Sequence, residues 1–567
     1  MVLSDSADGD ITASGSAASD SADGDITATS EWAALARHAR ELQAGGVDLA
    51  GLFEADPGRA GRCTSTAGEL VVDWSRHLVT DATVELLLAL AERAGVAARI
   101  EAMLAGEPVN VTDGRAALHT ALRAPAGEAV VTGGVDVAPA VAAERERMGA
   151  FVRALVAGER RGAGGLPIRT VVNIGIGGSQ LGPAMAHEAL AAFRSCDLEC
   201  RFVSNIDPAA LAAGLDGLDA AETLFIVVSK GFATAETLAN ARAARAWAAS
   251  VLGLEAAGRH FVAVTASREA AVEFGIEPDD VFATWDWVGG RFSMGSAAGL
   301  AVMAAIGEEN FAAMLAGMRS IDEHVAGGPA ASVPMLLGLL SVWYRNFWGF
   351  QTRAVVPYSE RLRLFGVWLQ QVIMESNGKR VRLDGSPVGC ETAEIVWGGP
   401  GTDSQHSFHQ LLHQGTTVVP ADFIVLARPD ADVAGLAGAA ERHEALVANC
   451  FAQAAALAFG TPPAEEDDPH RELPGNRPST VILAPELTPS VLGQLVALYE
   501  HQTVVQGAVW GINSFDQFGV ELGKTLADAI TADLRAGTDP AGSDAADADH
   551  DPSTKSLLAH YRRLRKL

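Results

Sequence analysis

Again and again along this chain an unbroken apolar stretch runs through a small-residue loop into a helical pattern. TVVNIGIGGSQLGPAM (170–185) reads as a strand, a glycine turn and a helix with Pro183 in its first turn. RFVSNID (201–207), LFIVVSKGFATAET (224–237) and HFVAVTA (260–266) continue the alternation, and DWVGGRFSMGS (286–296) follows them. After about Pro334 the order returns in AVVPY (354–358), a helical segment through Glu375, DFIVLA (422–427) and STVILA (479–484). Apolar strands separated by helices imply a parallel sheet covered on both faces, with binding loops at the strand C-termini. The expected fold is α/β, with two α/β/α sandwich domains over 124–325 and 326–524. Residues 31–123 are Ala-rich with helical spacing and read as a helical N-terminal region, and 525–567 as C-terminal helices around an acidic loop. Residues 1–30 repeat SDSADGDITA at 4–13 and 19–28 with almost no large apolar residues, a composition expected to stay disordered.

Charge narrows the partners. A formal net charge of -28 argues against nucleic acid and against an anionic membrane surface. An anionic substrate would therefore need a local pocket rather than the overall field. The cysteines at 63, 196, 200, 390 and 450 are odd in number and lack CxxC spacing, which reads as reduced thiols in the cytoplasm. The acidic N-terminus does not resemble a signal peptide, and the apolar run at 333–350 is interrupted by Arg345 and Asn346, as in a buried helix. Only five of the 42 Lys and Arg residues are lysines, at 230, 379, 524, 555 and 566. Three of them sit in the motif stretches below. A chain that otherwise prefers Arg keeps Lys where a compact, titratable charge is useful.

LFGVWLQQVIMESNGK (364–379) has apolar residues at helical spacing, with Gly378 placed to end the helix. Gln371 and Glu375 lie four apart on one face, and Glu375 falls in the last turn, where a carboxylate opposes the helix dipole. Either it forms an exposed pair with Lys379 or it is held there for chemistry. The loop at 175–179 has glycines suited to bringing backbone N–H groups up to an anion, although Gln180 stands where a dinucleotide fingerprint needs glycine. SKGFAT (229–234) adds two hydroxyls and consecutive backbone donors before a helix, a nest suited to phosphate. GVELGKT (519–525) is one residue short of a nucleotide P-loop. His406, His409 and His413 share helical spacing, but Gln410 replaces the glutamate of HExxH, so acid–base work by one of them fits better than metal.

GIGGSQLGP, SKGFATAET, DWVGGRFS, QQVIMESNGK, WGGPGTDSQHSFHQLLHQGT and YEHQTVVQGAVWGINSFDQFGVELGK together resemble the glucose-6-phosphate isomerase family, in the family's order from about 170 to 524. That resemblance implies two sugar-isomerase (SIS) type domains and the aldose–ketose isomerisation of glucose 6-phosphate and fructose 6-phosphate. It implies that Glu375 is the base carrying a proton between C2 and C1, and that Arg291 stabilises the enediolate. His406 and Lys524 would open the ring, with His406 supplied by the neighbouring subunit of a homodimer. Gln371 and Gln517 would hold sugar hydroxyls. Gly178, Ser179, Ser229, Lys230, Gly231, Thr234 and Gly290 complete the expected substrate site, with no metal and no cofactor. The chain departs from the family at Gly231 and Ala233, where threonines are usual, at Gly295 for a usual Trp and at Gly399 for a usual Glu.

Overall fold

The computed structural model describes residues 24–125, 127–328, 332–461, 468–536 and 550–565, so residues 1–23 of the repeat leader and the acidic stretch 537–549 lie outside the described residues. Two compact units divide the chain, Met1–Ser514 and Phe515–Leu567.

In the larger unit the strands are β1 (Thr64–Ala67), β2 (Leu70–Arg76), the short hairpin β3 (Val131–Thr132) and β4 (Val135–Asp136), and then β5 (Thr170–Ile174), β6 (Glu199–Val203), β7 (Thr223–Val228), β8 (Phe261–Thr265) and β9 (Val281–Ala283). Four more follow as β10 (Thr352–Tyr358), β11 (Ile395–Gly398), β12 (Ala421–Leu426) and β13 (Ser479–Ala484). The first main sheet has the order β6-β5-β7-β8-β9, parallel throughout. The second has the order β1-β2-β13-β12-β10-β11. Its four strands β11, β10, β12 and β13 are parallel and repeat the topology of the first sheet, the second strand in chain order lying outside the first. Two α/β sandwiches with parallel sheets are thus what the alternating texture forms.

Two expectations need correction. Residues 24–30 of the leader, expected to stay disordered, are ordered, with a turn at Ile26–Ala28 capped by Asp25 and a helix starting at Ser30. Residues 31–123 are not wholly helical: β1 and β2 form a hairpin that adds antiparallel to β13. β2 alternates in burial along LVVDWSR, as an antiparallel edge pair can, instead of hiding both faces. Its brevity, and its place between Ala-rich helical stretches, hide that signal.

The sheet strands are buried because their helices cover them. Val172, Ile174, Phe225, Val227 and Phe261 pack with Ala241, Ala244 and Ala248 of the Ala235–Leu252 helix. Ala354, Val356, Phe423 and Val425 pack with Cys450, Ala454 and Leu457 of the Ala439–Phe459 helix. Each such large side chain taken from water contributes about 1.5–3 kcal/mol. Small residues on the helices let them sit close to the strands.

Two long helical segments are in extensive mutual contact: Leu300–Ala326, broken at Gly307 where φ is 83 and ψ 164, and Pro489–Val509. Their backbones touch at glycines: a Cβ on Gly493 would stand 2.0 Å from the Met314 carbonyl oxygen, and one on Gly317 2.0 Å from that of Ser490. The segment Ala297–Ala326 is long and apolar enough to cross a membrane by composition, yet 67% of its apolar window is buried within the protein. It is a core helix. The 333–350 run likewise forms a helix, Val333–Val342, continued by a π-helical stretch at Trp343–Trp348.

Pro489–Val509 is buried on all sides although it carries Glu500, His501, Gln502 and Gln506. Arg123 meets Glu500 at 2.7 Å and Asp322 of the Leu300–Ala326 segment at 2.6 and 2.7 Å, while His501 Nε2 lies 2.7 Å from Asp322 Oδ1. Burial by itself would raise the Asp322 carboxyl, but the Arg123 guanidinium and the His501 contact outweigh it and hold the group down at about 2.

The smaller unit, in its described part, consists of a turn at Phe518–Val520 and the helices Glu521–Ala536 and Pro552–Arg565. They are joined by His550 Nε2 to Asp533 Oδ2 at 2.7 Å and by Arg562 Nη2 donating to the Asp533 carbonyl at 3.2 Å. GVELGKT runs through the turn into the helix with no strand before it, unlike a P-loop.

Asp322→Asn leaves a buried guanidinium with a single carboxylate, and is expected to lower unfolding free energy by about 3–5 kcal/mol in urea denaturation. The Asp322 contribution is complete above the ordinary value of 3.8 and is lost as pH falls through about 2, so the mutant's deficit should shrink across that window.

Candidate active site

In the first sheet β5 has β6 on one side and β7 on the other, so the chain leaves β5 and β7 in opposite directions. Such a topological switch point opens a crevice at the strand C-termini. Both glycine-bearing loops singled out from sequence border it, because β5 runs into the turn Gly177–Ser179 and β7 into 229–234. In the second loop Ser229 Oγ and Thr234 Oγ1 stand 3.0 Å apart. The left-handed residue there is not the glycine but Phe232, at φ 47. That conformation costs a non-glycine residue about 1–3 kcal/mol. Burial of the Phe232 ring, whose centroid is 5.7 Å from that of Phe274, holds the loop in this shape.

Lys230 lies differently from a freely projecting phosphate ligand. Its ammonium donates to the carbonyls of Asp286 at 2.7 Å and Val288 at 3.0 Å, clasping the hydroxyl loop to the segment that leads into Arg291. Burial, with Arg115 nearby, pulls its pKa below the usual lysine value.

Gly290 opens the turn Gly290–Phe292 that carries Arg291. This turn reaches the β5 loop through a backbone contact only glycine allows: a Cβ on Gly178 would stand 2.0 Å from the Gly290 carbonyl oxygen. Two motifs more than a hundred residues apart are joined there without a side chain between them. Beside them, Asn173 Nδ2 donates to the Ser179 carbonyl at 3.2 Å.

The helix bearing Glu375 begins as α-helix at Phe365–Leu369 and widens to a π-helix over Gln370–Glu375. Sequence spacing predicts the helix and its end, where Gly378 N bonds the Met374 carbonyl, but not the wider turn. Such insertions recur at functional sites because they turn side chains away from their α-helical directions. The carboxylate is turned toward Arg291, with Oε2 3.5 Å from Nη1, the two side chains being 22% and 1% exposed. Lys379 Nζ donates to the carbonyls of Ser376 at 2.8 Å and Asn513 at 2.9 Å.

Arg291 is fixed by partners not picked out from sequence. Nε donates to Ser376 Oγ at 2.6 Å and Nη2 to the Ser514 carbonyl at 2.6 Å. Ser376 follows Glu375 directly, and a run of polar residues at the buried end of an apolar helix was the available signal. Gln371 lies against Gly177, with Nε2 3.0 Å from where a Cβ there would be, and its Oε1 is buried without a hydrogen-bond partner. A buried acceptor of this kind suits a hydroxyl donor on a ligand.

His406 ends the short helix Asp403–His406 with its side chain exposed. His409 and His413 are turned elsewhere, both bonding Gln453 Oε1 at 3.0 and 2.8 Å. Those ring nitrogens are engaged by the Gln453 side-chain amide. Gln517 and Lys524 belong to the smaller unit, Gln517 just before the Phe518–Val520 turn and Lys524 exposed on the Glu521–Ala536 helix. Glu375, Arg291, Gln371 and the two switch-point loops are described within the larger unit.

A family model for phosphoglucose isomerase matches residues 73–558. This chain belongs to that family. It is 52% identical over 546 residues to glucose-6-phosphate isomerase 3 of Rhodococcus jostii (strain RHA1), with 95% of this chain and 98% of that one covered. It is 51% identical over 543 residues to the glucose-6-phosphate isomerase of Mycolicibacterium smegmatis, with 94% and 97% covered. The crystal structure of a glucose-6-phosphate isomerase from Chlamydia trachomatis superposes with a TM-score of 0.83 at 32% identity, over 95% of this chain and all of that one.

Two departures from the family pattern have a visible structural setting. A Cβ on Gly295 would meet Leu315 Cδ2 at 3.0 Å and Leu122 Cβ at 3.6 Å, so the space of a larger residue is already filled. Gly231 is open, with nothing within 4 Å of a built Cβ and no left-handed φ. Gly231→Thr is therefore expected to fold normally and to tighten inorganic phosphate binding about 3- to 10-fold, a charge-assisted hydrogen bond partly screened by solvent. Calorimetric titration measures it, with Ser229→Ala shifting affinity the other way.

Proposed function

We propose that this protein interconverts glucose 6-phosphate and fructose 6-phosphate through a cis-enediol(ate). The observation carrying this reading is the Glu375–Arg291 pair, a carboxylate and a buried guanidinium 3.5 Å apart beside two anion-suited loops, in a member of this family. The proton on carbon beside a carbonyl is a weak acid, so removing it needs a positioned base and a cation for the charge that develops. Glu375 takes the proton from C2 of the open-chain aldose, electrons shift onto O1, and Arg291 stabilises the resulting oxyanion. The O2 hydroxyl proton then passes to O1, and Glu375 returns its proton to C1 as the C2–O2 bond becomes the ketose carbonyl. Ser179, Ser229, Thr234 and the backbone N–H groups around Gly178 and Gly231 hold the phosphate, and this remote binding energy places the reacting carbons against Glu375. Gln371 and Gln517 hold sugar hydroxyls.

Ring opening falls to His406 and Lys524, which pass a proton from the O1 hydroxyl to the ring oxygen O5. The exposure of His406 supports its acting across a homodimer interface, in a neighbouring subunit's site. The five free cysteines support a reducing cytoplasmic setting.

Glu375→Gln keeps shape and removes the base. It is expected to lower kcat by about 10²–10⁴-fold, with fructose 6-phosphate still bound, in an assay coupled to glucose 6-phosphate detection. Wild type lacking turnover would reject the reading. Co-expressing His406→Ala with Glu375→Gln, each inactive alone, should restore about a quarter of wild-type activity, because half the dimers are mixed and each mixed dimer has one intact site. No recovery would place His406 in its own subunit's site.

A further inference from the structure

Every polar atom of Asn377 is engaged, although its side chain is wholly buried. Its Nδ2 donates to the Thr503 carbonyl at 2.8 Å and to Gln506 Oε1 at 3.1 Å, and its Oδ1 accepts from Ser514 Oγ at 2.7 Å. Gln506 Nε2 donates in turn to Glu394, at 3.1 Å to Oε1 and 3.4 Å to Oε2. Glu394 is ion-paired with Arg353 at 2.9 Å.

This chain of bonds has a fixed direction. An ionised carboxylate only accepts, so Gln506 must present its NH₂ to Glu394 and its oxygen to Asn377. Asn377 must then present its NH₂ to Gln506 and Thr503, leaving its oxygen for Ser514. Ser514 Oγ is thereby a donor, and the Ser514 main chain is tied down beside the carbonyl that receives Arg291 Nη2 at 2.6 Å. Another anchor of the guanidinium, Ser376 Oγ at 2.6 Å from Nε, precedes Asn377 in the chain. Two anchors of Arg291, the Ser514 carbonyl and Ser376 Oγ, thus meet at one residue. Gly507 makes room for it, since a Cβ there would stand 2.0 Å from Ser514 Oγ and 3.0 Å from Asn377 Oδ1.

We propose that Asn377 is a positioning residue for the isomerisation. Backed by Gln506 and Glu394, it fixes Ser514 and Ser376 so that the Arg291 guanidinium faces the enediolate oxygens. It touches neither substrate nor reacting atoms. This inference rests on the isomerase reading of the same site.

The test measures kcat and KM for fructose 6-phosphate in wild type, Asn377→Ala, Ser514→Ala and the double variant, well below each melting temperature. A guanidinium displaced by part of an ångström stabilises the transition state less while ground-state binding survives. Each single variant should therefore lose about 10- to 100-fold in kcat with KM within about 2-fold. Because both substitutions break one link, the double variant should be no slower than the slower single. Should Asn377→Ala fail to fold, Ser514→Ala removes only one hydroxyl and decides alone. A lowered melting temperature with unchanged kcat, or effects that multiply in the double variant, would overturn the inference while leaving the isomerase reading intact. An inactive wild type would overturn both.

Discussion

A helix buried on every side must satisfy its polar groups inside the protein, and the Pro489–Val509 helix does so for most of them, with His501 Nδ1 and Gln502 Oε1 as exceptions. Glu500 meets Arg123, Gln502 Nε2 reaches the hydroxyl of Ser341 at 3.1 Å, and Gln506 connects Glu394 with Asn377. These partners come from the N-terminal region, from Val333–Val342, from the second sheet's edge and from the end of the Glu375 helix. None can shift alone without leaving a desolvated polar atom unpaired, which costs far more than the bond contributes. The same helix meets Leu300–Ala326 backbone to backbone at glycines, so its position is fixed sterically as well as electrostatically.

On this core the two sandwiches stand as variants of one topology with different duties. The first supplies loops suited to an anion at its switch point, and the second supplies Glu375 from the helix that follows β10. Glu375 sits at the end of a helix where its charge is unfavourable, and a buried guanidinium offsets that cost. Arg291 in turn is buried against Ser376, Ser514 and Glu375. Carboxylate and guanidinium therefore make each other tolerable.

Much of this was legible in the sequence. Long apolar runs with turn residues located β5, β7, β8, β10, β12 and β13, and the motif loops fall where the switch point makes them useful. β9 and β11 span only Val281–Ala283 and Ile395–Gly398, too short to show a period, and the β1–β2 hairpin is masked by helical neighbours. At the site, Glu375 stood out by its unfavourable place in the last turn of a helix, whereas Arg291 entered only through the family resemblance. Ser376, Asn377 and Ser514 did not stand out, since small polar residues acquire a role only from what the fold sets beside them. Lys230 was read as part of the binding site, and its ammonium is found on two carbonyls. A periodic pattern specifies which face a residue occupies, not which of several acceptors a long flexible side chain will reach.

That clasp has a mechanical side. Left to themselves, the loop after β7 and the segment after β9 would be separate flexible connectors, each fluctuating on its own. With Lys230 fastened across them and Gly178 abutting Gly290, the end of the crevice suited to an anion and the turn bearing Arg291 form a single stiff bracket. A ligand gripped at one end thus loses little freedom to slack between anchor and reacting centre, and the distance between the two is set by covalent chain and clasp rather than by the ligand.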